Sequence, residues 1–444
     1  MHFPLELVHS IIEYVPAFDE PKDTFLACRL VSRAFSSIAT PLAFRVINLS
    51  QCNDSSYTFN YFMEEDTQLR ELVKELNFTA FPAEDPDREG GEKCSFPPPY
   101  NSPHSLCPVD SVEQSCEIFS AIGMFENLQT LRLEFEGYCA KEEPRDDDGE
   151  LDDETMSTSR LLQIRILQAL AELGISEVLP NPIRHLEIHG LLALPNPATF
   201  MDGLHRFTEA MCTLTLDIVS EPMVDQWPNY PSALYEKFWN GDFRRLALSR
   251  PFYYLTSLTL KSDVPTVGPG CIVWHSITYF ELRHLSLQNM IFNDEMLTPT
   301  TPNDPSKPSG LESFILSQTL LESLELKDCS LNIAVRDGED EGEDDSDEDE
   351  DIPPRMWSDI LDGFGKALKR LKNFEFTPFP IRPYIDFSNS NGPGTGYVTF
   401  REEFGYGSID PEDTPQRDEV DLGMDAAAFA LIQQAIADRV ASMN

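Results

Sequence analysis

Leu321-Glu-Ser-Leu324-Glu-Leu326-Lys-Asp-Cys329-Ser-Leu331 is the stretch on which the reading of this 444-residue chain turns. Leu324 and Leu326 flank Glu325, and Ser323 and Lys327 extend the alternation on either side. A period of two belongs to a strand with one face in a core and the other in water. The short form of the pattern, L-x-x-L-x-L with other apolar residues admitted, returns along the chain. It appears as Val73/Leu76/Phe78, Leu128/Leu131/Leu133, Ile183/Leu186/Ile188, Met211/Leu214/Leu216, Leu255/Leu258/Leu260, Leu282/Leu285/Leu287 and Leu371/Phe374/Phe376. Phe44 opens a similar run through Ile47 and Leu49.

From residue 73 onward the motifs start 55, 55, 28, 44, 27, 39 and 50 residues apart. The intervals of 28 and 27 fall in the leucine-rich-repeat range of about 20–29 residues. Longer intervals can each hold a strand, a helix and an insertion, and apolar runs at 161–173 and 360–371 read as such helices. The expected fold class is α/β: a short all-helical module, then an irregular leucine-rich-repeat solenoid carrying acidic disordered insertions. The other reading is a set of unrelated strands. The expected boundaries are 1–48 for the helical module, 49–420 for the repeat-like domain and 421–444 for a C-terminal capping helix. That last helix is expected from Asp425 as N-cap to about Met443, with Phe429, Ile432, Ile436 and Val440 on one face. It can end the repeat region or bind a partner.

The insertions differ in kind from the motifs. Residues 82–110 are rich in Pro, Gly and acids, and 299–309 in Pro, Ser and Thr. Residues 142–154 carry nine acids and one Arg, and 337–351 carry twelve acids in fifteen positions. Such runs repel themselves and stay solvated, so they are expected to be disordered loops. They contribute much of the formal net charge of −43, from 33 Lys+Arg against 76 Asp+Glu. A surface this acidic repels phosphate backbones and anionic lipid, so neither nucleic acid nor a membrane is an expected partner. No apolar run reaches about 18 residues, the length that spans a bilayer. The opening Met1-His2-Phe3-Pro4-Leu5-Glu6 has no basic leader, so no signal peptide is expected. Nine cysteines without a Cys-x-x-Cys pair read as reduced thiols, which places the chain in the cytoplasm, the nucleus or both.

The first 48 residues read as helices. Leu5, Val8, Ile11, Ile12 and Val15 recur at helical spacing up to Pro16. A second helix is expected from Asp23 to Ala39, with Ala27, Leu30, Val31, Ala34 and Ile38 on its apolar face and Pro41 ending it. Phe3-Pro4-Leu5-Glu6-Leu7-Val8-x-x-Ile11-Ile12 resembles the opening L-P-x-E-L-x-x-x-I of an F-box, and Cys28-Arg29-Leu30-Val31-Ser32-Arg33-Ala34-Phe35 resembles its closing V-C-R-x-W segment. The stretch from Thr40 to Ile47 looks like the exit into a repeat region seen in many fungal F-box proteins with leucine-rich repeats. The resemblance implies a substrate-recognition subunit of a Skp–cullin–F-box ubiquitin ligase. Phe3, Pro4, Leu5, Leu7, Ile11, Val31 and Phe35 would then bind the Skp-type adaptor, and through it a cullin. The repeat region would hold an unknown protein substrate. Such a subunit is not an enzyme, needs no cofactor and acts by proximity. Alternatives are an adaptor-independent scaffold, or an acidic chaperone of basic proteins resting on the 337–351 tract. The helices could also simply cap the first repeat.

If the motif leucines point inward, the residues between them face out onto a concave surface. These are Arg132, Glu134, Glu187, His189, Thr215, Asp217, Thr259, Lys261, Ser286, Gln288, Glu325, Lys327, Glu375 and Thr377. Three bases and five acids suit a protein substrate. Nothing points to bond chemistry. His185 and His189 have zinc-pair spacing but fall on a strand. Gly392-Pro-Gly394-Thr-Gly396 lacks the lysine of a phosphate loop, and the calcium-loop-like spacing from Asp337 to Glu348 follows from the density of acids. No metal or catalytic residue is expected.

Overall fold

The computed structural model describes residues 5–13, 21–51, 59, 62, 67–80, 110–135, 158–176, 181–219, 237–248, 252–263, 274, 279–292, 308–332, 355–378, 397–398, 400–403, 406–409 and 419–443. The acidic runs at 142–154 and 337–351, all but the last residue of 82–110, all but the last two of 299–309, and the Gly392–Gly396 turn lie outside them.

The motif strands assemble side by side. One parallel sheet contains β1 (Val46–Ser50), β2 (Glu75–Thr79), β3 (Thr130–Glu134), β4 (His185–Leu192), β5 (Thr213–Val219), β6 (Ser257–Ser262), β7 (His284–Gln288), β8 (Ile291–Phe292), β9 (Ser323–Asn332), β10 (Asn373–Pro378) and β11 (Tyr397–Val398). Neighbours follow chain order from β1 to β7, then β9 and β10, while β8 and β11 pair with the far end of β9. A separate antiparallel pair joins β12 (Phe400–Glu403) and β13 (Tyr406–Ile409). The fold is therefore mixed α/β.

Register follows the motif. Ile47, Leu76, Leu131, Leu186, Leu214, Leu258, Leu285, Leu324 and Phe374 stand opposite one another across nine strands. All are buried, as are the residues that open each motif from Val73 to Leu371. Burying one such side chain is worth about 1.5–3 kcal/mol. The leading ends are pinned by backbone. The Arg45 carbonyl accepts from the N–H groups of Lys74 and Glu75 at 2.8 and 3.1 Å, and the same double acceptance repeats strand by strand to Glu322, which takes Lys372 and Asn373 at 2.7 and 3.1 Å. Asn127 and Asn181 donate their side-chain amides to the carbonyls of Glu71 and Glu126, both at 2.7 Å. At the trailing ends, Gly190, Asn289 and Asp328 adopt φ of 71°, 57° and 50°. Asn289 lies one residue beyond β7, whereas Gly190 and Asp328 lie inside β4 and β9 where the pairing register shifts, and these residue types tolerate the left-handed conformation best.

The irregular leucine-rich-repeat solenoid expected from the sequence does not form; the strands make an open parallel sheet. Only the strand repeats; its connections do not. They range from α4 (Thr67–Arg70) through α5 (Asp110–Ala121) and the 18-residue α6 (Thr158–Ile175) to α7 (Asp202–Thr208), a π-helix (Phe238–Leu248), α8 (Gly310–Ser317) and α9 (Trp357–Ala367). Intervals of 27 to 55 residues cannot all fold into one unit. Individual crossings are tailored instead. A Cβ on Gly174 of α6 would sit 1.9 Å from the Gly203 carbonyl oxygen of α7, so only glycine permits that approach. The helices and the motif face share one core running from Ile47 to Ile436.

The last strand is covered by α10 (Glu419–Met443). Asp425, expected to cap this helix, lies inside it and accepts the Ser358 N–H at 2.7 Å, thereby capping α9. Arg439 donates to the carbonyls of Gly365 and Leu368 at 2.9 and 2.7 Å, at the other end of α9. An acid at the N-terminus and a base at the C-terminus both complement the α9 dipole. Gln433 donates to the Phe374 carbonyl at 2.7 Å and so ties α10 to β10. Ile432 and Ile436 are buried there, Phe429 is half-buried, and Val440 is exposed.

The N-terminal module has three helices, α1 (Leu5–Glu13), α2 (Pro21–Arg29) and α3 (Arg33–Ala43). The single helix expected over 23–39 is thus two. Ser32 breaks it: its extended backbone and side-chain oxygen, accepting the Phe35 N–H at 3.3 Å, make it the N-cap of α3. Pro41 lies within the last turn of α3, where one lost hydrogen bond is tolerated, and the helix ends at Ala43. The module core is Val8, Ile12, Phe25, Phe35, Ala39 and Ala43. The face expected from Ala27, Leu30 and Val31 points outward instead. Phe44 packs on both cores, edge-on to Phe62 at 5.9 Å and beneath the Arg29 guanidinium at 4.6 Å, and so joins module to sheet.

Candidate functional site

Two surfaces stand out, one apolar and one polar. The apolar one belongs to the helical module. Leu7 and Ile11 sit four residues apart on one face of α1, and both are exposed. Val31 is exposed as well, and Leu30 beside it is 88% exposed in the turn that Ser32 creates. Leu42 of α3 is exposed too, so the module leaves five large aliphatics in water. Phe35 is a correction: at 7% exposure it is core of the module and offers no contact surface. Phe3 and Pro4 lie outside the described residues, as does the side chain of Leu5.

The polar surface is the face of the sheet opposite the helices. Every expected face residue lies on it, half-buried or exposed: Arg132, Glu134, Glu187, His189, Thr215, Asp217, Thr259, Lys261, Ser286, Gln288, Glu325, Lys327, Glu375 and Thr377. Arg132, Glu187, Thr215, Thr259, Ser286, Glu325 and Glu375 share one row across the strands. Asn48 and Asn77 extend it at β1 and β2, joined by an amide hydrogen bond of 2.9 Å. A further row was missed: Glu75, Thr130, His185, Thr213, Ser257, His284, Ser323 and Asn373. Its signal was present, since each of these residues immediately precedes the motif's second apolar position.

Contacts on this face are short-ranged and paired. Arg132 Nε lies 3.8 Å from Glu187 Oε2. The His189 ring stands between Glu187, 3.4 Å from Nε2, and Asp217, 3.7 Å from Nδ1. The Asp217 carboxylate, with help from Glu187, holds the imidazole above its ordinary value, against the opposing effect of burial and the Arg132 charge. Ser286 donates to Glu325 at 2.6 Å. Beside the leading end of β9, Lys372 lies 2.6 Å from Glu322 and keeps that carboxyl below the usual range.

Other buried ionisable groups belong to the architecture. Glu312, wholly buried, receives Arg355 Nε at 2.8 Å and its Nη2 at 2.5 Å. Burial raises its carboxyl, and Arg355 opposes the rise. Burial likewise raises Asp242 in the π-helix, offset by hydrogen bonds from Thr199 and the Asn196 N–H. The Cys329 thiol is pushed up to about 12 by burial, so it stays protonated and inert. Cys28, Cys116, Cys212 and Cys329 are free thiols. Among the described residues no three His, Cys, Asp or Glu side chains are grouped to hold a metal, and no helix is long and apolar enough to cross a membrane.

The arrangement supports binding through a broad polar face and a small apolar one. No protein-family model matches the chain, and no curated protein matches it.

Proposed function

We propose that the chain is a substrate-recognition subunit of a Skp–cullin–F-box ubiquitin ligase. The observation that carries this reading is the exposure of Leu7, Ile11, Leu30 and Val31 on a separate three-helix module whose sequence resembles an F-box. Six buried residues make a small core, and small helical modules commonly need a partner to complete one. The module docks the Skp-type adaptor with these aliphatics, and the adaptor brings the cullin. The polar sheet face holds the protein substrate. No residue of the chain does bond chemistry; its contribution is to raise the local concentration of substrate beside a conjugating enzyme. Such a subunit works in the cytoplasm or nucleus.

Affinity purification from native cells, with and without residues 1–43, a truncation that ends with α3 and spares β1, tests the reading. Adaptor and cullin peptides are expected with the full chain and absent after truncation, while substrate peptides persist. Recovery of neither adaptor nor cullin by the full chain overturns it and leaves a scaffold.

A further inference from the structure

β4 carries a bulge within the polar face. The pairs Ile188↔Leu216 and Leu191↔Ile218 enclose two residues of β4, His189 and Gly190, against the single Asp217 of β5. Gly190 takes the left-handed φ of 71° that such an extra residue needs. A bulge leaves backbone groups without their ladder partners. On the core side these are met by Gln163 of α6, which is buried. Its amide nitrogen donates to the Gly190 carbonyl and its oxygen accepts the Leu192 N–H, both at 3.0 Å. On the outer side the His189 ring spans the bulge, with Glu187 Oε2 3.4 Å from Nε2 and Asp217 Oδ2 3.7 Å from Nδ1. The inner closure is an uncharged amide and indifferent to pH; the outer one is a histidine.

The geometry of the ring fixes its proton count. Each ring nitrogen faces a carboxylate, and only the imidazolium carries an N–H on both. A neutral ring has one N–H and one lone pair, so one of the two carboxylates then meets a lone pair and is repelled. The remaining charged groups around the ring sit on the same three strands and the next one. Arg132 on β3 lies 3.8 Å from Glu187, and Glu134 stands opposite His189 in the β3–β4 register. His185, earlier on β4, is engaged with Thr213 at 3.1 Å. Lys261 on β6 stands opposite Asp217 and offers that carboxylate a cation on the far side. Asp217 and Glu187 hold the imidazole above its ordinary value, the direction that two carboxylate contacts require. We propose that His189 is a pH-sensitive latch across the β4–β5 seam: protonated, it holds Glu187 and Asp217 together over the bulge; neutral, it keeps one of them and frees the other. As pH rises, the polar face becomes more negative by one charge and looser at the bulge. The latch rests on the reading of that face as the substrate-binding one only for its biological use.

Amide hydrogen exchange of the full chain tests it, read as protection factors so that the intrinsic pH dependence of exchange drops out. Protection of the Gly190, Leu191, Leu192, Ile218 and Val219 amides is expected to fall about fivefold as pH rises through the His189 midpoint, itself followed by the ring signals in NMR. Amides of β7 and β9 should show no such step. His189→Gln should remove the step and leave the seam at its less protected level, whereas His185→Gln, in the same strand, should keep it. Unchanged protection of β7 and β9 in His189→Gln separates loss of the latch from loss of the fold. A seam whose protection is constant through the midpoint, or a step that survives His189→Gln, overturns the latch. Adaptor co-purification does not involve His189, so the receptor reading stands or falls separately.

Discussion

The helical module and the sheet spend their apolar residues in opposite ways. In the sheet, every motif position points into one continuous core, and the outward face is polar. In the module, six residues form the core while five large aliphatics, Leu7, Ile11, Leu30, Val31 and Leu42, stay in water. The two regions therefore present different chemistry to water: aliphatic side chains on the module, polar ones on the outward face of the sheet.

The comparison can be broken most forcefully at the buried ion pair. Arg355→Ala strands the Glu312 carboxylate without its partner and should cost about 3–5 kcal/mol, read as a loss of the sheet's unfolding transition by denaturant titration. Leu214→Ala, in the middle of the ladder, should cost about 2–5 kcal/mol in the same transition and leave the module's helices in place. Ser32→Ala removes the cap between α2 and α3 and should cost about 1 kcal/mol, felt by the module alone. If Leu214→Ala and Ser32→Ala shift one common transition, the two regions are a single cooperative unit and the contrast between them fails. The smallest effect is electrostatic. His189 is held above its ordinary value, so its stabilisation is full below the unfolded histidine value and fades as pH rises through the raised folded one. Asp217→Asn should therefore lower the His189 titration midpoint followed by proton NMR; an unmoved midpoint contradicts the assignment of Asp217 as its main partner.

The strands were legible because L-x-x-L-x-L states both period and face, and Leu324 beside Glu325 is enough to orient β9. The face residues from Arg132 to Thr377 follow from the same alternation. The connections were not legible as a class. A π-helix at Phe238–Leu248 and the glycine contact between Gly174 and Gly203 depend on tertiary neighbours that no local pattern encodes. The module misled for a related reason. Ala27, Leu30, Val31, Ala34 and Ile38 have helical spacing, but Ser32 competes for the backbone as an N-cap and wins. The break turned Leu30 and Val31 outward and turned Phe35, taken as a contact residue, into core. Asp425 shows the same limit: a residue shaped to cap its own helix caps its neighbour.

The most direct test of the module's role is calorimetric titration of the full chain with a purified Skp-type adaptor, comparing the natural sequence with Leu7→Asp plus Leu30→Asp. Both side chains are exposed, so the melting temperature should hold while adaptor binding is lost. Binding that survives the double substitution in a folded protein would contradict the assignment of these aliphatics as the docking surface.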